Sequence, residues 1–175
     1  MPSRLGCIVE GPEDKDVLAR IFQKLGLPCK ILNARGSGNF KRKLSSYIDL
    51  LKSSRCNKIV ILRDLDCQDQ GAVHREFARY DTKDTRFCLA VHELETWLLA
   101  DHKALSEVLY KQIKPISNPE NIHDAKSKMK EIFRKSGKRY MPSRDLPEIA
   151  EHLDLRVVRG KCTSYRRFEK LARDC

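Results

Sequence analysis

The sequence predicts an α/β protein with a mostly parallel, Rossmann-like sheet flanked by helices and followed by a helical C-terminal extension. Short apolar runs alternate with stretches whose apolar residues recur at helical spacing, and this alternation is typical of a doubly wound sheet. The most apolar run, residues 58–62 (KIVIL), is apolar on both faces, as a central parallel strand is. After residue 110 only the helical spacing continues.

Four apolar runs predict the strands, and four amphipathic stretches predict the helices that follow them. The strands are expected at residues 5–9, 29–32, 58–62 and 85–91. The helices are expected at residues 14–25, 40–51, 70–80 and 95–109. In the first helix, Val17, Ile21 and Leu25 share one face, and Gly26 ends the pattern. A turn is expected at residues 34–39 (ARGSGN).

The last third of the chain differs in composition from the rest. Residues 114–121 are rich in Pro and Asn, which is typical of a connection. Three further helices are predicted, at residues 125–135, 146–153 and 164–172. We therefore expect an α/β domain at residues 1–110, and a basic, mainly helical extension at residues 111–175 that packs on it.

The charge is strongly positive and unevenly distributed. The chain has 35 Lys and Arg against 24 Asp and Glu, a net charge of +11. Residues 1–110 hold 18 basic and 15 acidic residues, whereas residues 111–175 hold 17 basic and 9 acidic. An excess of this kind predicts a polyanionic partner, DNA or RNA, although a merely solubilising surface has the same signature.

Composition also excludes several classes of protein. No apolar run approaches the length of about 20 residues that a membrane helix needs, and the N-terminus does not resemble a signal peptide. The seven cysteines are odd in number and none has CxxC spacing, which argues against a disulfide framework or a zinc site. We therefore expect a cytoplasmic protein without a membrane partner. A homodimer or a protein partner is compatible with the sequence.

Carboxylates follow three of the predicted strands. Glu10 follows the first, with Asp14 four residues later, and Asp64 and Asp66 follow the third. Glu95 comes soon after the fourth. Ligands of open α/β sheets bind at the carboxyl ends of the strands, so these acids are expected on one rim. Clustered carboxylates need a neutralising cation, and hard oxygen ligands suit Mg²⁺ or Mn²⁺.

These residues resemble the signature of the Toprim domain. That signature is a Glu after the first strand and DxD after a later one, matched here by Glu10 in IVEG and by Asp64 and Asp66 in ILRDLD. The resemblance covers residues 4–100. The spacing from Glu10 to Asp14 is similar to that of overcoming-lysogenization-defect nucleases, and the run at residues 93–101 (ELETWLLAD) looks like a small stand-alone Toprim-like family, often linked with mobile elements and defence.

The resemblance implies Mg²⁺-dependent hydrolysis of nucleic-acid phosphodiesters, with Glu10, Asp64 and Asp66 as catalytic residues. In one version Asp64, Asp66 and Glu95 hold one Mg²⁺, and Glu10 and Asp14 hold or bridge to a second. In the other version Glu10 is a general acid or base beside a single metal ion.

Basic residues in two regions are candidates for contact with the phosphate backbone. Near the N-terminus of the second helix they are Lys41, Arg42 and Lys43. In the extension they are Lys126, Lys128, Lys130, Arg134, Lys135, Lys138 and Arg139. Lys161, or another cation of the tail, could contact the scissile phosphate.

Two other functional classes are compatible with the same residues. One is a non-catalytic nucleic-acid-binding or effector module that keeps the fold and its acids. The other is a receiver-like phosphotransfer domain, in which acids also cluster at strand ends. That class requires a fifth strand followed by a Lys, and the sequence contains no clear fifth strand.

Overall fold

The computed structural model describes residues 4–66 and 68–174, and it confirms the α/β class. Four strands form one all-parallel sheet in the order β2-β1-β3-β4. Their bounds are β1 Arg4–Val9, β2 Cys29–Asn33, β3 Cys56–Asp64 and β4 Thr85–Ala90. In register, Val9 lies beside Asn33 and Asp64 lies beside Ala90, so the carboxyl ends of the strands meet at one edge.

Helices cover both faces of this sheet and form most of the last third of the chain. The helices associated with the sheet are α1 Pro12–Leu25, α2 Ser37–Ser53, α3 Gln70–Phe77, α4 Glu95–Leu99 and α5 His102–Leu109. Those of the extension are α6 Ala125–Lys135, α7 Pro142–His152, α8 Leu155–Lys161 and α9 Thr163–Arg173. Short 3₁₀ turns lie at Ala78–Tyr80 and Pro119–Asn121.

The single helix predicted at residues 95–109 is wrong, because the structure has two helices there. Asp101 adopts an extended conformation between them, and its side chain accepts hydrogen bonds from the backbone N–H groups of Lys103 and Ala104. A carboxylate in this position is a helix N-cap, which starts a new helix in a new direction. The sequence pattern missed the break because the apolar spacing continues across it.

The starts of two other helices differ from the predicted positions, and one helix was not predicted. Part of the turn expected at residues 34–39 forms the first turn of α2, and α7 begins at Pro142, four residues before the predicted start. The short helix α8, Leu155–Lys161, was not predicted. Asp154 caps it by accepting a hydrogen bond from the N–H of Arg156.

The alternation of side chains along the strands divides the core into two layers. One face of β1 and β3, with Cys7, Val9, Val60 and Leu62, packs against α1 and the helices of the extension. The opposite face packs against α2 and α3. The larger layer contains buried residues from Leu5 through Ala172, so the extension and the sheet share one core.

Trp97 of α4 is the centre of the contact between the sheet and the extension. Its ring lies 5.2 Å from those of Tyr165 and Phe168, and its Nε1–H donates a hydrogen bond of 2.9 Å to Ser164 Oγ. Glu120 accepts a hydrogen bond of 2.9 Å from the N–H of Ser164. The connection and α9 are therefore both tied to the end of the sheet.

No helix in the described part of the chain is long and apolar enough to cross a membrane.

Phe168→Ala should destabilise the whole protein, because Phe168 is fully buried between Trp97 and Phe22. We expect a loss of about 3–5 kcal/mol in the free energy of unfolding. Urea unfolding followed by circular dichroism and by Trp97 fluorescence should give one shared midpoint. Leu50→Ala, at a side chain that is 49% exposed, is the control and should cost less than about 0.5 kcal/mol. Separate midpoints for the two probes would contradict a shared core.

Candidate functional site

The candidate site lies where the connections from the sheet diverge. From β1 the chain crosses to β2 on one side and then returns to β3 on the other side. The crevice between the carboxyl ends of β1 and β3 is therefore the topological switch point, where open α/β sheets bind their ligands. Glu10 follows β1 directly, and Asp64 is the last residue of β3.

The structure brings all five predicted acids together around one cavity of about 360 Å³. They are Glu10, Asp14, Asp64, Asp66 and Glu95. Glu10 lies just after β1, and Asp14 lies in the first turn of α1. Asp64 ends β3, Asp66 lies in the loop after it, and Glu95 begins α4. The other lining residues are Gly11, Glu13, Gly36, Lys126, Lys130, Tyr140, Pro142 and Leu146.

Backbone N–H groups fix two of these carboxylates. Asp64 Oδ1 accepts a hydrogen bond of 3.0 Å from the N–H of Leu94, which joins the end of β3 to the loop before α4. Asp14 Oδ2 accepts one of 2.8 Å from the N–H of Gly11, in the capping arrangement that starts α1. Each bond engages one carboxylate oxygen and orients the other.

The backbone at Asp66 takes the left-handed conformation, with φ of 46°. Asp and Asn tolerate this region better than other non-glycine residues do. The N–H of Asp66 donates a hydrogen bond of 2.9 Å to the carbonyl of His92. The left-handed residue bends the DxD segment, and this hydrogen bond joins it to the loop before α4.

Burial makes four of these carboxylates weaker acids. It raises the pKa of Glu95 to about 7. The pKa of Asp64 lies well above its usual range, first because it is buried and then because Asp14 and Glu95 are close. Burial also raises the pKa values of Glu10 and Asp14. Such shifts favour the protonated form of these groups and are typical of functional sites.

Lys126 reaches into this cluster from the start of α6. Its Nζ lies 3.0 Å from Glu93 Oε1, and its backbone N–H donates a hydrogen bond of 2.8 Å to Glu93 Oε2. Burial works to lower the pKa of Lys126, but the charges of Glu95 and Glu93 raise it overall. Glu93 therefore acts as a helix cap and as an ion-pair partner, and the ammonium stays charged.

Arg63 holds Glu10 from the other side of the sheet. Its side chain is only 3% exposed, and its Nε donates a hydrogen bond of 2.9 Å to Glu10 Oε1. The guanidinium also lies 5.0 Å from the ring centroid of Phe77 and 3.7 Å from Glu76. The sequence shows Arg63 only as the residue before the DxD segment, and its role was not predicted.

Tyr140 lines the cavity, and its role was not predicted from the sequence either. Its hydroxyl oxygen is buried and has no hydrogen-bond partner within the described chain. Burial and the nearby charge of Glu95 raise the pKa of Tyr140, so the hydroxyl keeps its proton. A buried hydroxyl without a partner in a cavity is poised to donate a hydrogen bond to a ligand. No spacing in the sequence links Tyr140 to the distant acids.

The cavity has the donor atoms for a hard divalent cation, but they are not gathered into a ligand set. The described His, Cys, Asp and Glu side chains form no group of three arranged to hold a metal ion. The carboxylate oxygens are nevertheless of the type that Mg²⁺ and Mn²⁺ prefer. The pKa values of Glu95 and Asp64 are raised, and a bound cation would lower them by stabilising the ionised carboxylates.

The predicted basic residues separate into several groups. Only Lys126 and Lys130 line the acidic cavity. Others are held in local contacts: Lys41 with Glu76, Arg42 with Asn39, Lys128 and Lys135 with Glu131. Lys43, Arg134 and Arg139 are exposed, as are Lys41, Arg42, Lys126, Lys130 and Lys135. Lys138 donates a hydrogen bond to the carbonyl of Val108.

Lys161 does not line the cavity. Its Nζ donates two hydrogen bonds of 2.9 Å, to the carbonyls of Ala100 and Ile116. These bonds fasten the connection after α5 to the end of α4, so Lys161 has a structural role in this conformation.

Arg63→Met should destabilise the protein by about 3 kcal/mol, since it leaves the Glu10 carboxylate partly buried without its partner. Chemical denaturation near neutral pH measures the loss. The control is Arg86→Met, which removes the exposed pair with Asp81 and should cost less than about 1 kcal/mol. Equal losses in the two variants would mean that the Arg63–Glu10 pair is not a buried one in solution.

Raising the pH should destabilise the metal-free protein through Glu95. Its pKa rises from 4.5 to about 7 on folding, so the folded state binds the proton more tightly. The resulting stability is present below the unfolded value and is lost as the pH rises through about 7. Glu95→Gln should therefore lose less stability than the wild type between about pH 5 and about pH 8, by up to about 3 kcal/mol.

Urea unfolding in the presence of EDTA measures this difference. Glu107→Gln, at an exposed position of α5, is the matched control and should keep the wild-type pH dependence. If Glu95→Gln also kept it, the Glu95 carboxyl would not be the group that titrates.

Comparison with known proteins gives one match. The family DUF4276, described as a domain of unknown function, matches residues 9–171. This range includes the acids of the cavity, together with Lys126, Tyr140 and the helices of the extension. No curated protein and no solved structure matches the chain. Because the match extends over nearly the whole sequence, the chain belongs to the DUF4276 family.

Proposed function

We propose that the protein is a nuclease that hydrolyses phosphodiester bonds of DNA or RNA with the help of Mg²⁺ or Mn²⁺. One observation carries the proposal: carboxylates from three segments of the chain, the five predicted ones and Glu13, meet at the switch point of a parallel sheet, in one cavity with Lys126 and Lys130. The acids are suited to a metal ion, and the lysines are suited to a phosphate. A cavity with both kinds of group fits the cleavage of a polyanion.

The metal ligands in this proposal are Asp64, Asp66 and Glu95, with Glu10 and Asp14 holding or bridging to a second ion. A bound divalent cation would supply charge stabilisation for the phosphate and would lower the pKa of a water molecule. Asp64 uses Oδ1 for its bond to Leu94 and Asp14 uses Oδ2 for its bond to Gly11, so the other oxygen of each is the one proposed to face the metal ion.

Glu10 is the residue proposed to hold or move a proton. Burial raises its pKa, while the bond from Arg63 fixes the position of Oε1 and leaves Oε2 for a water molecule or a leaving oxygen. Lys126, Lys130 and the hydroxyl of Tyr140 are proposed to contact the non-bridging oxygens of the phosphate. Their position in the lining of the same cavity as the acids supports this role.

The resemblance of Glu10, Asp64 and Asp66 to the Toprim signature supports the same chemistry. It favours a small nuclease of the kind associated with mobile elements or defence, acting in the cytoplasm. The net charge of +11 supports a nucleic-acid substrate.

A non-catalytic nucleic-acid-binding module is the second candidate. The observation that favours it is Lys126, whose ammonium already neutralises part of the acidic cluster and is ion-paired with Glu93. In such a module the acids and the lysine would stabilise the fold, and no metal ion would be required.

The double variant Asp64→Asn, Asp66→Asn should abolish cleavage. Asn is nearly isosteric with Asp and also tolerates the left-handed conformation of residue 66, so the fold should survive. We expect the wild type to cleave at least one of plasmid DNA, single-stranded DNA and structured RNA when Mg²⁺ or Mn²⁺ is added. Saturating metal should also raise the wild-type Tm by about 5 °C, and the variant should lose this shift.

Asp49→Asn, at an exposed position of α2, is the matched control and should keep both cleavage and the Tm shift. Binding of nucleic acid without cleavage, and without a metal-dependent Tm shift, would favour the non-catalytic module. Cleavage that persists in the double variant would show that the activity does not come from this cavity.

A further inference from the structure

A second cavity, of about 450 Å³, lies beside the acidic one and is not used by the proposed chemistry. It forms a groove between the end of α5, the end of α6 and the start of α7, and Val108 and Phe133 contribute apolar side chains to its lining. Tyr110 and Met141 also line it, and both are among the exposed large hydrophobic residues of the described chain. The groove therefore presents apolar and aromatic surface to the solvent.

Tyr110 is held as an exposed aromatic platform. Its side chain is 87% exposed, and it ends α5 in the left-handed conformation, with φ of 52°. Gly or Asn usually occupies such a position, because other residues are strained there. The Nζ of Lys138 lies 4.5 Å from the ring centroid and donates a hydrogen bond of 2.8 Å to the carbonyl of Val108. Lys138 thus fixes the ring without covering most of it.

The rim of the groove is positive where it is accessible. Lys138, Arg139 and Arg144 line it, opposite the carboxylates of Asp145 and Glu148. Asp145 is buried and committed, since Oδ1 accepts a hydrogen bond of 2.7 Å from Arg144 and Oδ2 accepts one from the N–H of Met141. Arg144 and Asp145 neutralise each other, and the two remaining cations, Lys138 and Arg139, outnumber Glu148, which favours an anionic occupant.

One short segment joins the groove to the acidic cavity. Lys138, Arg139 and Met141 line the groove, whereas Tyr140 and Pro142 line the acidic cavity. Consecutive residues of this segment therefore line the two sites alternately, and the sites are neighbours along it. A chain molecule with one phosphate in the acidic cavity could place a further unit in the groove.

We propose that the groove binds an unpaired nucleobase of a single-stranded nucleic acid, stacked on Tyr110, beside the phosphate held in the acidic cavity. This inference rests on the proposed function and names its substrate class. Stacking of a base on an aromatic ring, combined with cations for the backbone, is how proteins bind single strands without sequence readout. Bases in a duplex have both faces covered, so a duplex cannot use this platform.

The test compares Tyr110→Asn with Tyr110→Phe. Asn is well suited to the left-handed conformation and lacks the ring, so a loss of binding would not reflect misfolding. Phe retains the ring. Fluorescence anisotropy in EDTA, which prevents metal-dependent cleavage, measures binding of labelled oligothymidylate, oligouridylate, their duplexes and an abasic strand of equal length.

We expect the wild type to bind the single strands about tenfold or more tightly than the duplexes or the abasic strand. Tyr110→Asn should remove that preference, and Tyr110→Phe should keep it. The exposed Arg139→Ala variant should weaken binding of the normal and the abasic strands alike and should lower the salt dependence. Comparison of the affinities for oligothymidylate and oligouridylate shows whether the bound strand is DNA or RNA.

Two results would overturn the inference: unchanged single-strand preference in Tyr110→Asn, or displacement of the strand by polyglutamate of equal charge, which would make the occupant an acidic polypeptide. Metal-dependent cleavage without a preference for single strands would contradict base binding in the groove and would leave the proposed nuclease activity supported. A preference for single strands without any cleavage would support base binding in the groove and would contradict the proposed hydrolysis.

Discussion

The gathering of carboxylates at the carboxyl edge of the sheet is the constraint on which the rest of the structure depends. Like charges in a partly buried site need compensation, and burial raises the pKa values of Asp64 and Glu95 even with that compensation present. The protein compensates with Arg63 from one face of the sheet and with Lys126 from the other. The extension is thus bound to the site by charge as well as by its share of the core.

The fold could be predicted largely from sequence because its strands are simple apolar runs. Residues 58–62 are apolar on both faces, and this property follows directly from their place inside a parallel sheet. Because parallel strands end at the same edge, the sequence also predicts that Glu10 and Asp64 lie together there. Helix boundaries were harder, because caps such as Asp101 act through single hydrogen bonds that do not disturb the apolar period.

The rest of the site could not be predicted, because it depends on contacts between segments far apart in the chain. Lys126 belongs to a basic run that was interpreted as a surface for the phosphate backbone, and only packing shows that it enters the acidic cavity. Tyr140 and Arg63 have no motif of their own. Lys161 was predicted to contact the scissile phosphate because it is a cation of the basic tail. Instead, its Nζ is bound to the backbone carbonyls of Ala100 and Ile116.

The position of Lys126 and Tyr140 late in the chain also affects how the protein is made. Synthesis proceeds from the N-terminus, so the strands and all five carboxylates leave the ribosome before either residue does. Until α6 and the segment at Tyr140 have emerged, the acids lack their cation and one wall of their cavity. Trp97 likewise stays uncovered until Phe168 has been added. The nascent chain therefore carries an incomplete site, which is assembled only after the segment at Tyr140 has emerged.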